Sequence, residues 1–180
     1  KKIIEVRGEI ESLETSFTTL LNGNKKAMQG LMAEMREFAV TTPMMVNSLA
    51  KRAQTMLGFG IPLEQVMENL RALGDISMGD DQKFQSLTLA FSQMSATGKL
   101  MGQDLLQMIN AGFNPLMQIS ERTGKSVAKL KDEMSKGAIS AEMVRQAFID
   151  ATSEGGKFNG MLESMSQTSQ GAISNAKGAI

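Results

Sequence analysis

The sequence predicts an all-α fold, and three observations indicate it. Apolar residues recur at intervals of three and four positions through most of the chain, which is the spacing of helix faces. No stretch shows the strict alternation or the β-branched runs that are typical of a strand. The 17 glycines and 3 prolines interrupt the periodic stretches at short intervals. Because both residue types break helices, we expect many short helices and no long rod.

The first predicted helix carries a heptad pattern. Its apolar residues are separated by alternating steps of three and four, and they are Ile3, Val6, Ile10, Leu13, Phe17 and Leu20. This is the spacing of a coiled-coil seam, and Asn22-Gly23-Asn24 then ends it. Two interpretations stay open: a helix packed on its own domain, or an intermolecular coiled coil with these six residues as a self-association seam. We expect residues 1–24 to form a coiled-coil-like helix and residues 25–180 a separate helical domain.

After Asn24 the pattern predicts a compact bundle of about seven to eight short helices. We expect Pro43 to occupy the first position of one helix and Pro62 to begin the next, because proline is well tolerated there. That second helix is expected to end near Gly74, and Asp80-Asp81 precede the one that follows. From residue 98 onward glycines recur as regular stops, which favours a compact arrangement.

Residues 105–120 contain no charged side chain. Gln107, Asn110, Asn114 and Gln118 interrupt the apolar residues of this segment. We expect a buried helical hairpin that turns at residues 111–115. Insertion into a membrane is the weaker alternative, because each half is too short to span a bilayer.

The composition excludes several classes of chemistry. The chain has no His, Cys, Trp or Tyr, so imidazole and thiol catalysis and the usual zinc sites are absent. Lys plus Arg equals Asp plus Glu at 19 each, so no net charge attracts nucleic acid or an anionic membrane. Neither a membrane-spanning stretch nor a leader peptide is evident. We predict no catalytic, cofactor or metal site, no sequence-specific nucleic-acid binding and no membrane contact.

The Gly124-Lys125-Ser126 triplet is similar to the end of a phosphate-binding loop. That loop requires a glycine five residues before Gly124, where this chain has Ile119. We therefore expect Gly124 to end one helix and Ser126 to cap the next.

Two weaker chemical alternatives come from carboxylates and from a helix pair. Asp80, Asp81 and Glu154 are the carboxylates that glycoside cleavage would use, although acids at a helix start also complement its dipole. Residues 126–148 contain two predicted helices with Arg145 on the second, which permits a helix-turn-helix interpretation. Acidic neighbours offset the basic residues there, so we do not favour DNA binding.

Residues 98–175 contain a series of short motifs in a fixed order and spacing. The motifs are Gly98-Lys99-Leu100, Gly102-Gln103-Asp104-Leu105, Asn110 to Leu116, Gly124-Lys125-Ser126, Met134 to Gly137, Ile139-Ser140, Ala147-Phe148, Gly155-Gly156, Gly160-Met161 and Ser169 to Asn175. By these motifs, residues 98–175 resemble the N-terminal helical region of phage tail tape measure proteins. The resemblance covers a little under half of the chain, with a looser match over residues 42–81.

The resemblance implies a structural virion protein encoded by a prophage. Members of this family lie in the tail tube in several copies and set tail length through long helical regions. The implied partners are other copies, the tail tube, and tail-tip or assembly-chaperone proteins, and the implied locations are the tail lumen and, during assembly, the bacterial cytoplasm. Helical muralytic or DNA-binding domains are the alternative.

The chain departs from the family pattern because it lacks the long ruler helix. It opens with Lys-Lys-Ile-Ile and stops at Gly-Ala-Ile, so we expect a piece of a longer protein. Such a piece cannot measure tail length by itself, and its expected task is to provide folded contacts for assembly.

Overall fold

A computed structural model describes residues 2–168, with side chains described from residue 7 onward. Within these residues the fold is all-α, as the sequence predicts. The helices are α1 (Lys2–Leu20), α2 (Lys25–Val40), α3 (Val46–Gly58), α4 (Leu63–Ser77), α5 (Asp81–Thr97), α6 (Gly102–Asn110), α7 (Pro115–Thr123), α8 (Val127–Ser135) and α9 (Ala141–Thr152). A further helical segment covers 161–168. The eight helices that follow α1, together with this segment, agree with the predicted bundle.

Side-chain caps explain where many of these helices begin. Five residues accept a hydrogen bond from a backbone N–H of the first turn, which satisfies a donor that the helix itself leaves free. They are Asn24, Asp80, Asn114, Ser126 and Ser140. Gly98 and Gly124 end α5 and α7 in the left-handed conformation, with φ of 87° and 77°. The polar and glycine punctuation that the sequence shows therefore has the expected local role.

The helices pack around one hydrophobic core. Helix α3 lies against α1, α2, α4 and α5, while α9 contacts α4, α5 and α7. Phe91 of α5 meets Phe148 of α9 edge to face, with ring centroids 5.4 Å apart. Phe113, which follows α6, lies 4.6 Å from the same Phe148 ring. These three rings hold α5, α9 and the turn after α6 together.

A short backbone pairing ties two loops together across the core. The Leu100 N–H donates to the Ile139 carbonyl at 2.9 Å, and the Ala141 N–H donates to the Gly98 carbonyl at 3.0 Å. Leu100 and Ile139 are fully buried. Over the described residues, this isolated bridge of Lys99 with Ser140 is the one β-type pairing.

One predicted helix boundary is wrong. Pro43 does not begin a helix, because α3 starts at Val46. The Thr42 hydroxyl donates to the Phe38 carbonyl and accepts from the Met44 N–H, which holds Pro43 in a turn before the helix. Gly74 lies in the last turn of α4, near its end as expected, and the helix continues to Ser77 before Met78 adopts a left-handed conformation. A side chain of the segment 161–168 also packs on the helix at Gly74.

The predicted boundary at residue 24 lies in the turn between α1 and α2. Leu13 and Phe17 of α1 are members of the same core cluster as residues of α2 to α9. Division of the chain into units 1–24 and 25–180 stays a prediction.

Candidate interaction sites

The predicted seam of α1 is divided between the core and the surface. Leu13 and Phe17 are buried, and Ile10 is half-buried against the core. Leu20 is 40% exposed. Ile3 and Val6 belong to α1, but their side chains lie outside the described part of the chain. Leu13 and Phe17, in the middle of the seam, are thus buried within the molecule, and self-association through the complete seam stays a prediction.

Polar contacts hold α1 against α3. Glu9 accepts a hydrogen bond from the Asn47 side chain at 3.3 Å and pairs with Lys51 at 2.6 Å. The Lys51 hydrogen bond lowers the pKa of the Glu9 carboxyl, and Asn47 lowers it further. About two helical turns further along, the Gln54 amide donates to the Ser16 hydroxyl at 2.9 Å. From the first contact to the second, the residue numbers increase along both helices. Helices α1 and α3 therefore run in the same direction.

The turn between α1 and α2 forms a rigid basic tip, which we define as residues 20–26. The Leu21 and Gly23 N–H groups donate to the carbonyls of Phe17 and Thr18, at 2.8 and 2.7 Å. Asn22 and Gly23 adopt positive φ values of 58° and 80°. Leu20, Lys25 and Lys26 are all exposed on this tip. It therefore presents one apolar side chain beside two positive charges.

A second feature is an apolar groove between α6, α7 and the end of α9. Its volume is about 850 Å³. Ile109, Phe113, Met117 and Phe158 supply its apolar lining. Ile109 is 39% and Met117 is 56% exposed, and Leu106, one turn before Ile109, is 58% exposed. The uncharged segment 105–120 is therefore only partly buried, because it also presents large apolar side chains to solvent.

The expected hairpin is also wrong in its packing. Helix α6 packs mainly on α5, whereas α7 packs on α8 and α9. The two helices diverge from the turn at Gly112, so a groove remains where a tight hairpin would have left none.

The loop that closes the groove is held closely to α9. The Phe158 N–H donates to the Ala151 carbonyl at 2.8 Å. A side chain on Gly156 would place its Cβ 2.4 Å from the Asp150 carbonyl oxygen, so only glycine fits this approach. The Phe158 ring contacts Phe113 edge to face, with centroids 6.3 Å apart. These contacts give the groove a fixed apolar floor.

Acidic side chains surround this floor. Glu121 and Glu154 line the groove and are exposed. Asp150 also lines it, but it accepts from Arg122 at 3.3 Å and from Gln146 at 2.8 Å. Lys157 lies over the Phe158 ring at 6.0 Å. The rim therefore carries more negative than positive charge.

A separate cavity of about 670 Å³ lies among α2, α4, α9 and the segment 161–168. Glu34, Glu37, Glu68 and Glu163 line it, together with Asp75. Burial raises the pKa of Asp75, and this effect outweighs the hydrogen bond that its carboxylate accepts from the Leu162 N–H. At this cavity the segment 161–168 packs against α4.

The residues proposed for chemistry take structural roles or lie apart. Gly124 ends α7 and the Ser126 side chain caps α8, as expected for the Gly-Lys-Ser triplet. Asp80 caps α5, whereas Asp81 accepts from Ser48 and pairs with Arg52 at 3.5 Å. Asp81 lines a small cavity beside α3, and Glu154 lines the groove, so the structure does not bring these carboxylates into one site.

Arg145 is used inside the fold. Its guanidinium donates to Asn69 at 3.3 Å, to Glu68 at 3.0 Å and to Glu142 at 3.3 Å. The Arg145 side chain is only 16% exposed. Helix α9 also directs Val144 and Phe148 into the core. The second helix of the pair, α9, is therefore a packing element, and Arg145 joins it to α4.

Residues 2–168 contain neither a cluster of metal-binding side chains nor a membrane-spanning helix. No group of three or more acidic side chains there is arranged to hold a metal ion. No helix in this range has the length and apolar character needed to cross a membrane.

The all-α fold and its two surface features, the basic tip and the apolar groove, are those of a helical protein that can make contacts through its surface. The whole chain, residues 1–180, matches the family model described as tape measure protein. The chain belongs to the tape measure protein family, and this family supplies structural components of phage tails.

Among curated proteins, the chain is similar to the probable tape measure protein of Escherichia phage Mu. The two are 23% identical over 151 residues, which cover 82% of this chain and 22% of the Mu protein. The chain therefore spans less than a quarter of the length of that relative. No solved structure matches the chain.

Proposed function

We propose that this chain is a folded assembly module of a phage tail tape measure protein. In this role it contributes contacts during tail assembly, while the parent protein determines tail length. Its partners are other copies of the chain, the tail tube, and tail-tip or assembly-chaperone proteins, in the tail lumen of the virion and in the bacterial cytoplasm before that. The family match over the whole chain is the observation that carries this proposal.

The helix lengths support different roles for this module, which provides contacts, and for the rest of the parent protein, which determines length. The longest described helix, α1, has 19 residues, which is a rod of about 29 Å at the α-helical rise. The other helices fold back on one another around a shared core. A chain folded in this way contributes little length per residue, so the module does not act as a ruler.

Two structural observations favour this role over a muralytic or DNA-binding one. The carboxylates that would cleave a glycoside lie in separate cavities. Arg145, the cation of the supposed reading helix, is held by three side chains of the fold. Neither arrangement suits the alternative chemistry, which needs convergent carboxylates or exposed cations.

An in-frame deletion in the phage that encodes the parent protein tests the proposal. Removal of residues 25–168 should reduce the yield of assembled tails, and any remaining tails should keep nearly their normal length. If these residues formed an extended ruler helix instead, tails would shorten by about 220 Å at 1.5 Å per residue. Electron microscopy of negatively stained particles measures both quantities. Normal yield with proportionally shorter tails would overturn the proposal.

A further inference from the structure

We propose that the basic tip of one copy docks into the apolar groove of the next copy, so that copies associate head to tail. This inference deepens the proposed function and rests on it, because it names the contact through which copies of the module would meet. The tip comprises residues 20–26, and the groove lies between α6, α7 and the end of α9.

The tip has the shape and chemistry of an inserted element. Its turn is fixed by backbone hydrogen bonds of 2.7 and 2.8 Å, so little conformational freedom is lost on docking. Leu20 is 40% exposed at the point where the two helices meet. No acidic residue occurs between Glu14 and Glu34. Lys25 and Lys26 therefore act without a compensating charge in this part of the sequence.

The groove complements the tip in apolar character and in charge. Ile109, Phe113, Met117 and Phe158 offer an apolar floor to Leu20. Glu121 and Glu154 at the rim are exposed, and they can pair with Lys25 and Lys26. Apolar centres surrounded by polar rims are typical of protein interfaces, in which methionine and aromatic residues are enriched. An acidic rim attracts a basic partner and repels an acidic one, so the charges favour the basic tip as the occupant of the groove.

The directions of the helices place the two surfaces at opposite ends of the molecule. Helices α1 and α3 run the same way, so the tip lies where α3 ends and α4 begins. Helices α4 and α9 also run the same way, since Arg145 contacts Glu68 near their starts while Asp75 and Thr152 share a cavity near their ends. The groove begins at Asp150, at the far end of α9.

A tip and a groove at opposite ends cannot meet within one molecule, but they can link successive copies. The contact joins two different surfaces, so it is heterologous and generates a ring or an open chain of copies. It leaves the upstream half of the α1 seam uninvolved.

Two charge-reversal variants of the 180-residue chain test the contact. K25E/K26E changes the tip, and it should fold because acidic residues at the start of α2 complement the helix dipole. E121K/E154K changes the groove rim at two exposed positions. Sedimentation velocity over a range of concentrations should show self-association of the parent chain that each variant weakens by about tenfold or more.

Mixing the two variants provides the decisive measurement. K25E/K26E keeps an intact groove, and E121K/E154K keeps an intact tip. In an equimolar mixture the intact tip can dock into the intact groove, and the reversed tip meets a reversed rim of opposite charge, so both contacts are complementary again. The mixture should therefore associate more strongly than either variant alone and form species larger than a dimer. A contact between identical surfaces would close at the dimer and could not produce these larger species.

A control charge reversal at two exposed lysines of α8, K129E/K131E, should associate like the parent chain. Circular dichroism confirms that each variant is folded. The inference is overturned if the parent chain remains monomeric at the highest concentration reached, if K25E/K26E associates normally, or if the mixture stays monomeric. None of these outcomes affects the proposed function, which the tail yield and length of the deletion phage test separately.

Discussion

The carboxylate of Asp75 accepts a hydrogen bond from the backbone N–H of Leu162 at 3.0 Å, although 87 residues separate them in sequence. The contact lies at the start of the helical segment 161–168, where a backbone donor has no partner within its own helix. Next to it, a Cβ on Gly74 would lie 2.8 Å from Leu162 Cδ1. The segment 161–168 thus packs on α4 at Gly74 and Asp75.

Replacing Asp75 should separate the hydrogen bond from the charge. D75A removes the acceptor and leaves the Leu162 N–H without a partner, so we expect the free energy of unfolding to fall by about 1–2 kcal/mol. D75N keeps an acceptor oxygen in the same place without a charge. It should be as stable as the parent chain at neutral pH, or more so. Urea denaturation followed by circular dichroism measures both values, and equal losses in the two variants would contradict this account.

The pH dependence of Asp75 has a definite sign. Burial raises its pKa above the ordinary value of 3.8, so the folded state binds the proton more readily than the unfolded chain. The stabilisation that follows is fully present below pH 3.8 and is lost as pH rises through the folded-state pKa. D75N cannot titrate, so its stability relative to the parent chain should increase over that interval. Asp104, whose pKa burial also raises, is common to both proteins and cancels in the difference. A difference that is constant with pH would contradict the assignment.

Gly156 fixes the loop that closes the groove. A methyl group there would meet the Asp150 carbonyl oxygen at 2.4 Å, and backbone cannot move aside as a side chain can. We expect G156A to lower the free energy of unfolding by about 1–3 kcal/mol, as overpacking usually does. G30A is the matched control, because its Cβ meets nothing within 4 Å on α2. That variant should be stabilised by about 0.5–1 kcal/mol through the higher helix propensity of alanine. Equal effects of the two substitutions in thermal or urea denaturation would contradict the close approach.

The sequence predicts the helices well because their signals are local. Periodic apolar residues define each face, and caps such as Asp80 and Ser126 act within three residues of their own position. These signals do not depend on how the helices pack. The fold class and the approximate number of helices were therefore predictable.

Features that depend on distant residues were not predictable in the same way. The sequence places Gly74 near a helix end, but its packing role comes from Leu162, which lies far away in sequence. Ile109 and Met117 have the spacing of buried residues, yet they are exposed because α6 and α7 pack on different helices. The tip had one available signal, the two lysines directly after the Asn-Gly-Asn turn. Its use as a surface follows only from the exposure of Leu20.

Arg145 should contribute more to stability than a surface arginine does. Its guanidinium bonds to Asn69, which is 2% exposed, as well as to Glu68 and Glu142. R145A would leave the buried Asn69 carbonyl oxygen without a donor, and we expect a loss of about 1–3 kcal/mol. R122A is the matched control, since it removes an arginine that is 57% exposed and pairs with Asp150. It should cost less than about 1 kcal/mol. Denaturation of both variants tests this order, and an R122A loss as large as that of R145A would contradict it.

The upstream half of the α1 heptad is where coiled-coil self-association can still occur. Leu13 and Phe17 are buried in the core of their own molecule, so alanine at either position would lower the free energy of unfolding by about 2–5 kcal/mol without testing the seam. Ile3 and Val6 precede these residues in the heptad. In a background that carries K25E/K26E, which removes the proposed tip contact, the double variant I3S/V6S should abolish any remaining concentration-dependent association.

R7S/E11S in the same background is the control, because both residues are exposed on the same helix. It should associate like the K25E/K26E chain, since neither residue belongs to the apolar seam. Light scattering across a concentration series measures the outcome for all three proteins. If I3S/V6S associates as strongly as R7S/E11S, the heptad of α1 serves only to pack the helix on its own bundle.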